Sequence, residues 1–339
     1  MSEGALGLPD GLHEFLERVG WGAAQVRPLP GDASFRRYFR IRRDDGGKKA
    51  MLMHAPPPHE DPVPFLEVDR WLTDNGLRAP AILASEPEAG WVLLEDFGDD
   101  RMRDWLDARP ADESAAYEAA VDALVELHRL PPGPFAPYDM ESYLREVRLF
   151  TEWYAPAQGL AVDAAGYEAA WREVLEPLQA RTQAMPGGGV TVLRDYHAEN
   201  IMLLGGTPHA PQGLIDFQDA LVGHPAYDLV SLLQAARRAV APALAEAMIG
   251  RYLAGARLEH DATFLADYAV LGAQRNAKIV GIFTRLFKRD GKPRYLAMIP
   301  RVWQHLEDDL AHPALGPVAR WFLANIPEEL RAAGGGQIA

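Results

Sequence analysis

Over the first hundred positions apolar side chains fall in short runs broken by turn-forming residues; beyond them they recur every three or four positions. The short runs predict strands at Ala24–Pro28, Phe35–Ile41, Lys48–His54, Ala81–Ser85 and Trp91–Glu95. Pro30-Gly31-Asp32-Ala33-Ser34 and Asp44-Asp45-Gly46-Gly47 supply turns between the first three. Between the third and fourth strands, Phe65, Val68 and Leu72 give Asp61–Asn75 helical spacing. After Phe97-Gly98-Asp99 the pattern predicts helices at Asp112–His128, Met140–Ala155, Ala164–Met185, Ala226–Arg238, Pro242–Ala254, Ala262–Phe287 and Tyr295–Ala311. Two short apolar runs, Val190–Leu193 and Gly213–Ile215, interrupt the helices, and each ends in charged residues. The fold class expected is α+β: a small β-rich lobe over residues 1–96 and a larger, mainly helical lobe over 97–339. Ala333–Gly336 reads as a frayed tail.

Composition narrows the chemistry. Of 339 residues, 48% are hydrophobic and 24% charged, the balance of a globular protein with a sizeable core. The formal net charge of −14 argues against a general nucleic-acid binder, which needs a basic face. With no cysteine, disulfides, thiolate catalysis and cysteine-based zinc sites are excluded. The ten histidines show no HExxH spacing. No apolar run is long enough to span a bilayer, and the N-terminus lacks a signal-peptide pattern, so a cytoplasmic monomer without nucleic-acid or membrane partners is expected.

The candidate chemistry lies where the two interrupting runs end. Leu193-Arg194-Asp195-Tyr196-His197-Ala198-Glu199-Asn200 is followed by Ile215-Asp216-Phe217-Gln218-Asp219. Phosphoryl transfer asks a protein for positioning and electrostatics more than for covalent chemistry. Asp195 suits the carboxylate that orients an acceptor hydroxyl and takes its proton. Asn200 offers a hard carboxamide oxygen, and Asp216 a carboxylate after an apolar strand; both suit Mg²⁺. Asp195 and Asn200 alone are a weak pattern, but joined to a later apolar strand ending in Asp-Phe they point to an ATP-dependent kinase.

These segments resemble the catalytic loop and metal-binding aspartate of the aminoglycoside phosphotransferase/choline kinase family. The resemblance implies a protein-kinase-like fold with ATP and Mg²⁺ as cofactors. Gly31–Ser34 is similar to the family's nucleotide-covering turn, which makes Asp32 and Ser34 candidate nucleotide contacts. Leu93-Leu94-Glu95-Asp96 is similar to the hinge that reads adenine through its backbone, with Glu95 and Phe97 beside the nucleotide. Asp228, in Pro225-Ala226-Tyr227-Asp228-Leu229, matches the residue that braces the catalytic loop. Within the family, Gly31–Arg40, Met53–Pro57, Leu214–Leu233 and Gln274–Lys292 look like the anomeric sugar kinases of bacterial cell-wall recycling. That likeness implies an amino-sugar acceptor, N-acetylmuramate or N-acetylglucosamine, phosphorylated on its C1 hydroxyl.

Two departures stand out. Leu193-Arg194-Asp195 lacks the histidine of the protein-kinase loop, leaving the nearby His197 as its candidate stand-in. Ala50-Met51-Leu52-Met53-His54 has no central lysine to hold phosphates, so either Ser34, metal and an arginine from the run Arg36, Arg37, Arg40, Arg42 and Arg43 hold them, or the nucleotide site is unconventional. Glu67 is a candidate partner for such a cation. Asp219 is a candidate for a second ion or for substrate. Gln274, Arg275 and Lys278 recur at helical intervals and are candidate acceptor contacts, with a cation for the muramate carboxylate. Two other readings remain open: the same fold acting on an aminoglycoside or choline, and a nucleotide-binding pseudokinase.

Overall fold

A computed structural model describes residues 7–31, 35–43, 47–209, 211–258 and 262–338. The chain divides into two compact units, Met1–Asp100 with Gly213–Gln218, and Arg101–Gln212 with Asp219–Ala339. The first unit thus ends a few residues beyond the 96/97 boundary expected, and it reclaims a short segment from far along the chain. That segment carries Asp216.

Five strands form one antiparallel sheet in the first unit: β1 (Gln25–Pro28), β2 (Arg37–Arg42), β3 (Lys49–His54), β4 (Ile82–Glu86) and β5 (Trp91–Glu95), in the order β1-β2-β3-β5-β4. Each lies within two residues of its predicted bounds. Alternation decides the faces. Phe39, Ile41, Ala50, Leu52, Trp91 and Leu93 point to one side, where they pack with Leu12, Phe15 and Leu16 of the helix Leu12–Arg18. That helix was absent from the sequence reading, although Leu12, Phe15, Leu16 and Val19 have the spacing of a helical stripe.

The opposite face of β2 and β3 carries Tyr38, Arg40, Arg42, Met51 and Met53, which register alternation sets against the core-facing set. The helix Val63–Asp74 buries Phe65, Leu66, Val68 and Leu72, and Phe65 stacks on Phe217 at 4.9 Å between ring centres. Asp69 is buried with them at 1% exposure, and its Oδ2 has no hydrogen-bond partner among the described residues. Burial, opposed weakly by Arg70, pushes its pKa up to about 7. A carboxyl whose folded pKa lies above its ordinary value stabilises the fold in acid and loses that contribution as pH rises toward 7. Asp69→Asn, neutral throughout, is therefore expected to be more stable than wild type by about 1–3 kcal/mol at pH 8. The difference should vanish toward pH 4; equal thermal midpoints at both pH values would show that the carboxylate has a partner.

The second unit is helical. Its longest element, Ala262–Lys288, is buried on most of its circumference, as a helix at the centre of a bundle must be. Gly281 lets this helix meet the main chain of Leu149, because a Cβ there would collide with that backbone. Leu149 closes the helix Met140–Leu149, and Phe150–Tyr154 continues it as a π-turn rather than the unbroken helix predicted to Ala155. Helix Ala226–Leu233 also stops short of its predicted end at Arg238. The tail is not frayed: the Tyr154 hydroxyl and Gln158 Nε2 both donate to the Gly335 carbonyl, at 2.7 and 2.8 Å. The helices Met102–Ala108, Gly316–Asn325 and Glu328–Ala332 were not read from sequence; in Gly316–Asn325 the signal was Val318, Trp321 and Phe322.

Candidate active site

The catalytic-loop segment begins where the strand Val190–Val192, paired antiparallel with Leu221–Gly223, runs out. The amides of Leu193 and Arg194 donate to Asp228, at 2.6 and 2.8 Å, and Asp228 is wholly buried near the start of helix Ala226–Leu233. Two main-chain donors on one carboxylate fix the turn, and Arg194 takes a left-handed φ of 69° there. Asp228 thus braces the loop as the sequence pattern implied. A histidine does reach this brace, but it is His128: its Nε2 lies 3.9 Å from Asp228, and its Nδ1 is 2.7 Å from the Tyr252 hydroxyl.

Beyond the brace the chain turns on itself. The Asn200 amide donates to the His197 carbonyl at 2.8 Å, and Asn200 Nδ2 donates to the Asp195 carbonyl at 3.0 Å. Those bonds tie Asp195, His197 and Asn200 into one rigid turn. Glu199 anchors it from outside through Arg103 and, at 2.8 Å, Arg237.

Asp195 keeps 48% of its side chain exposed, yet four cationic or titratable groups surround it. Burial alone would raise its pKa; the charges of Lys278, His197, Arg275 and Arg194 outweigh it and hold the carboxyl below the usual carboxylate range. His197 is pushed down to about 4, first by burial and then by Arg275 and Arg237, against the pull of Asp195. At neutral pH His197 is therefore uncharged, and Lys278, Arg275 and Arg194 keep Asp195 ionised.

The long helix delivers its three predicted residues differently. Arg275 is 4% exposed, with Nη2 at 3.7 Å from Asp195 Oδ1 and Nη1 without a hydrogen-bond partner among the described residues. Gln274 and Lys278 turn instead to Glu146, at 3.1 and 3.0 Å. Glu146 is buried and also meets Arg194 and the Tyr138 hydroxyl. Lys278 and Gln274 thus support the acid that holds Arg194, and Arg275 alone of the three faces the reactive carboxylate.

The remaining predicted residues belong to either unit or fall outside the described residues. Asp32 and Ser34 lie outside the described residues. Glu95 is engaged by the Arg78 guanidinium, which also lies over the Phe97 ring at 4.7 Å, so the Glu95 side chain is structural. Arg78 holds its carboxyl below the ordinary range, against burial. Glu67 is exposed. Asp219 is exposed, and its carbonyl accepts from Arg194 Nη1 at 3.5 Å. Asp216, in the first unit, has a left-handed φ of 61° and accepts from Gln218 Nε2 at 3.1 Å. Among the described residues no three His, Asp or Glu side chains gather into a metal cluster. Asn200, in the second unit, and Asp216, in the first, each offer a hard oxygen donor of the kind Mg²⁺ prefers.

A braced loop presenting an ionised aspartate, with an asparagine five positions on, has the chemistry a phosphotransferase requires. The chain belongs to the phosphotransferase enzyme family, whose model matches residues 25–265. It is 38% identical to the N-acetylmuramate/N-acetylglucosamine kinase of Caulobacter vibrioides, over 94% of this chain and 96% of that one. It is 37% identical to the kinase of the same name from Pseudomonas aeruginosa, over 95% of each. Its fold is similar to ADP-bound aminoglycoside phosphotransferase APH(2'')-Ib, with a TM-score of 0.60 at 16% identity over 93% of this chain and 99% of that one. It is likewise similar to choline kinase from Cryptosporidium parvum, with a TM-score of 0.57 at 12% identity over 92% and 99%. The protein is an ATP-using kinase.

Proposed function

We propose that this kinase transfers the γ-phosphoryl group of ATP, with Mg²⁺, to the C1 hydroxyl of N-acetylmuramate and N-acetylglucosamine during cytoplasmic recycling of cell wall. The observation that carries the acceptor is the 34–38% identity to four N-acetylmuramate/N-acetylglucosamine kinases along most of the chain. Asp195 orients the hydroxyl and accepts its proton late in transfer, for which it must be ionised, as its cationic neighbours favour. Asn200 and Asp216 hold the metal, which neutralises charge on the β- and γ-phosphates when bound. Asp219 serves a second ion or the substrate.

Arg275 supplies the acceptor-side cation. Its buried, unpartnered Nη1 beside Asp195 suits a sugar oxygen or the lactyl carboxylate of muramate. A carboxylate-lined pocket for a cationic aminoglycoside or choline would want the opposite charge, because Glu146 is already neutralised by Arg194 and Lys278.

ATP consumption with Mg²⁺ across N-acetylmuramate, N-acetylglucosamine, kanamycin and choline, with ³¹P NMR of the products, tests the reading. An anomeric sugar 1-phosphate is expected. Turnover of kanamycin or choline alone would overturn the acceptor, and no turnover with any of the four would leave a nucleotide-binding pseudokinase.

A further inference from the structure

Two side chains of the second unit end in buried nitrogens with no hydrogen-bond partner among the described residues, and they stand on helices that pack together. One is Arg275 Nη1, on Ala262–Lys288. The other is His305 Nε2, on the helix Ile299–Leu310. Leaving a buried polar atom unpaired is costly, so each marks a place where a ligand completes the hydrogen bonding.

The packing of the two helices brings these nitrogens to one place. Asp309 accepts from Asn276 Nδ2 at 3.3 Å, and a Cβ on Gly272 would collide with its carboxyl group, so Ile299–Leu310 meets the long helix at Gly272 and Asn276. Gln234 locks that contact: its Nε2 donates to Asp309 at 2.9 Å, and its Oε1 accepts from Asn276 at 2.7 Å. Arg275 precedes Asn276 in sequence, and His305 lies one turn before Asp309 on the same face of its helix. The imidazole accordingly feels the Arg275 charge. Burial, joined by Arg301 and Arg275 and opposed by Asp308, holds its pKa below the ordinary value, so at neutral pH the ring is uncharged. The positive charge of the pair therefore resides on Arg275. That charge is only partly met, because Arg275 Nη2 stands 3.7 Å from Asp195 Oδ1, beyond hydrogen-bond reach.

We propose that Arg275 and His305 together bind the lactyl carboxylate of N-acetylmuramate, with Arg275 Nη1 supplying the charge and His305 Nε2–H an uncharged donor, which makes His305 a specificity-determining residue. The lactyl carboxylate is the one anionic group of N-acetylmuramate, and N-acetylglucosamine lacks it. It is carried on C3, separated from C1 by a single ring carbon, so a side chain bordering Asp195 comes within reach of it. A carboxylate accepts from both donors and compensates the guanidinium, whereas a neutral hydroxyl leaves that charge unanswered.

The inference rests on the amino-sugar reading, and comparing the two sugars separates them. Initial rates of the full chain at saturating MgATP are measured against N-acetylmuramate and N-acetylglucosamine. Wild type should phosphorylate both. His305→Ala should raise KM for N-acetylmuramate by about 10- to 100-fold, the range of a lost hydrogen bond to a charged group. KM for N-acetylglucosamine and both kcat values should stay within about twofold. His305→Phe keeps the bulk of the ring without a polar atom; it should show the same selective loss and carries the test if the alanine variant does not fold. His305→Gln, an uncharged donor, should restore most of the N-acetylmuramate affinity. Unchanged N-acetylmuramate kinetics in His305→Ala or His305→Phe overturn the assignment, as does an equal loss with both sugars, which would make His305 a packing residue. A wild type that phosphorylates N-acetylglucosamine and not N-acetylmuramate overturns it too, while leaving an amino-sugar kinase. Turnover of neither sugar would instead overturn the acceptor reading itself.

Discussion

Asp195→Asn is expected to lower kcat by about 10³-fold while MgADP binding stays within about twofold of wild type. The substitution keeps the size of the side chain and leaves the Asp195 carbonyl in place to accept from Asn200 Nδ2. What it removes is the charge that Lys278, Arg275 and Arg194 stabilise, and with it the acceptor for the hydroxyl proton. General acid–base work is worth roughly 10²–10⁴-fold, and here it is joined to orientation of the nucleophile. Because the carboxylate is half exposed, the thermal midpoint should move little, which separates lost chemistry from lost fold. A variant with near-normal kcat would remove Asp195 from the role of base and direct attention to neutral His197 beside it.

The sheet of the first unit was legible because alternation is a local signal: Phe39 and Ile41 against Arg40, or Leu52 against Met51, declare both strand and face. The reactive loop was legible too, since Asp195 and Asn200 are held by bonds within one turn. Contacts between distant segments were not. Nothing in the segment around Asp216 says that it packs with a unit made of the first hundred residues. A run of five arginines over residues 36–43 does not declare their partners; pairing register sets Arg40 opposite Met51 and Arg37 opposite His54. The π-turn after Leu149 has the same origin, because helical periodicity continues through Phe150–Tyr154 and cannot register one extra residue in a turn.

Glu146 is the clearest case of a residue whose partners the sequence hid, and it yields the other large prediction. It lies on Met140–Leu149, and its partners come from residues 138, 194, 274 and 278. In the structure it is 7% exposed and neutralises two cations, Arg194 and Lys278. Glu146→Gln preserves shape and deprives both enclosed cations of the carboxylate they pair with directly, the situation in which removing one partner costs about 3–5 kcal/mol. The thermal midpoint should fall by roughly 5 °C. Activity should fall as well, because Arg194 lies in the turn that presents Asp195 and Lys278 helps to keep that carboxylate ionised.

The pH dependence distinguishes this charge effect from a packing defect. Burial would raise the Glu146 pKa, but Lys278, Arg194 and the Tyr138 and Gln274 hydrogen bonds hold it below the ordinary value of 4.5. A carboxylate depressed in the folded state stabilises above its unfolded pKa and loses that contribution as pH falls through the folded one. The gap between wild type and Glu146→Gln should therefore be constant from about pH 6 to 8 and close in acid, below pH 4.5. A gap of the same size at every pH would mean that Glu146 acts by shape, and the two cations would then need another counter-charge.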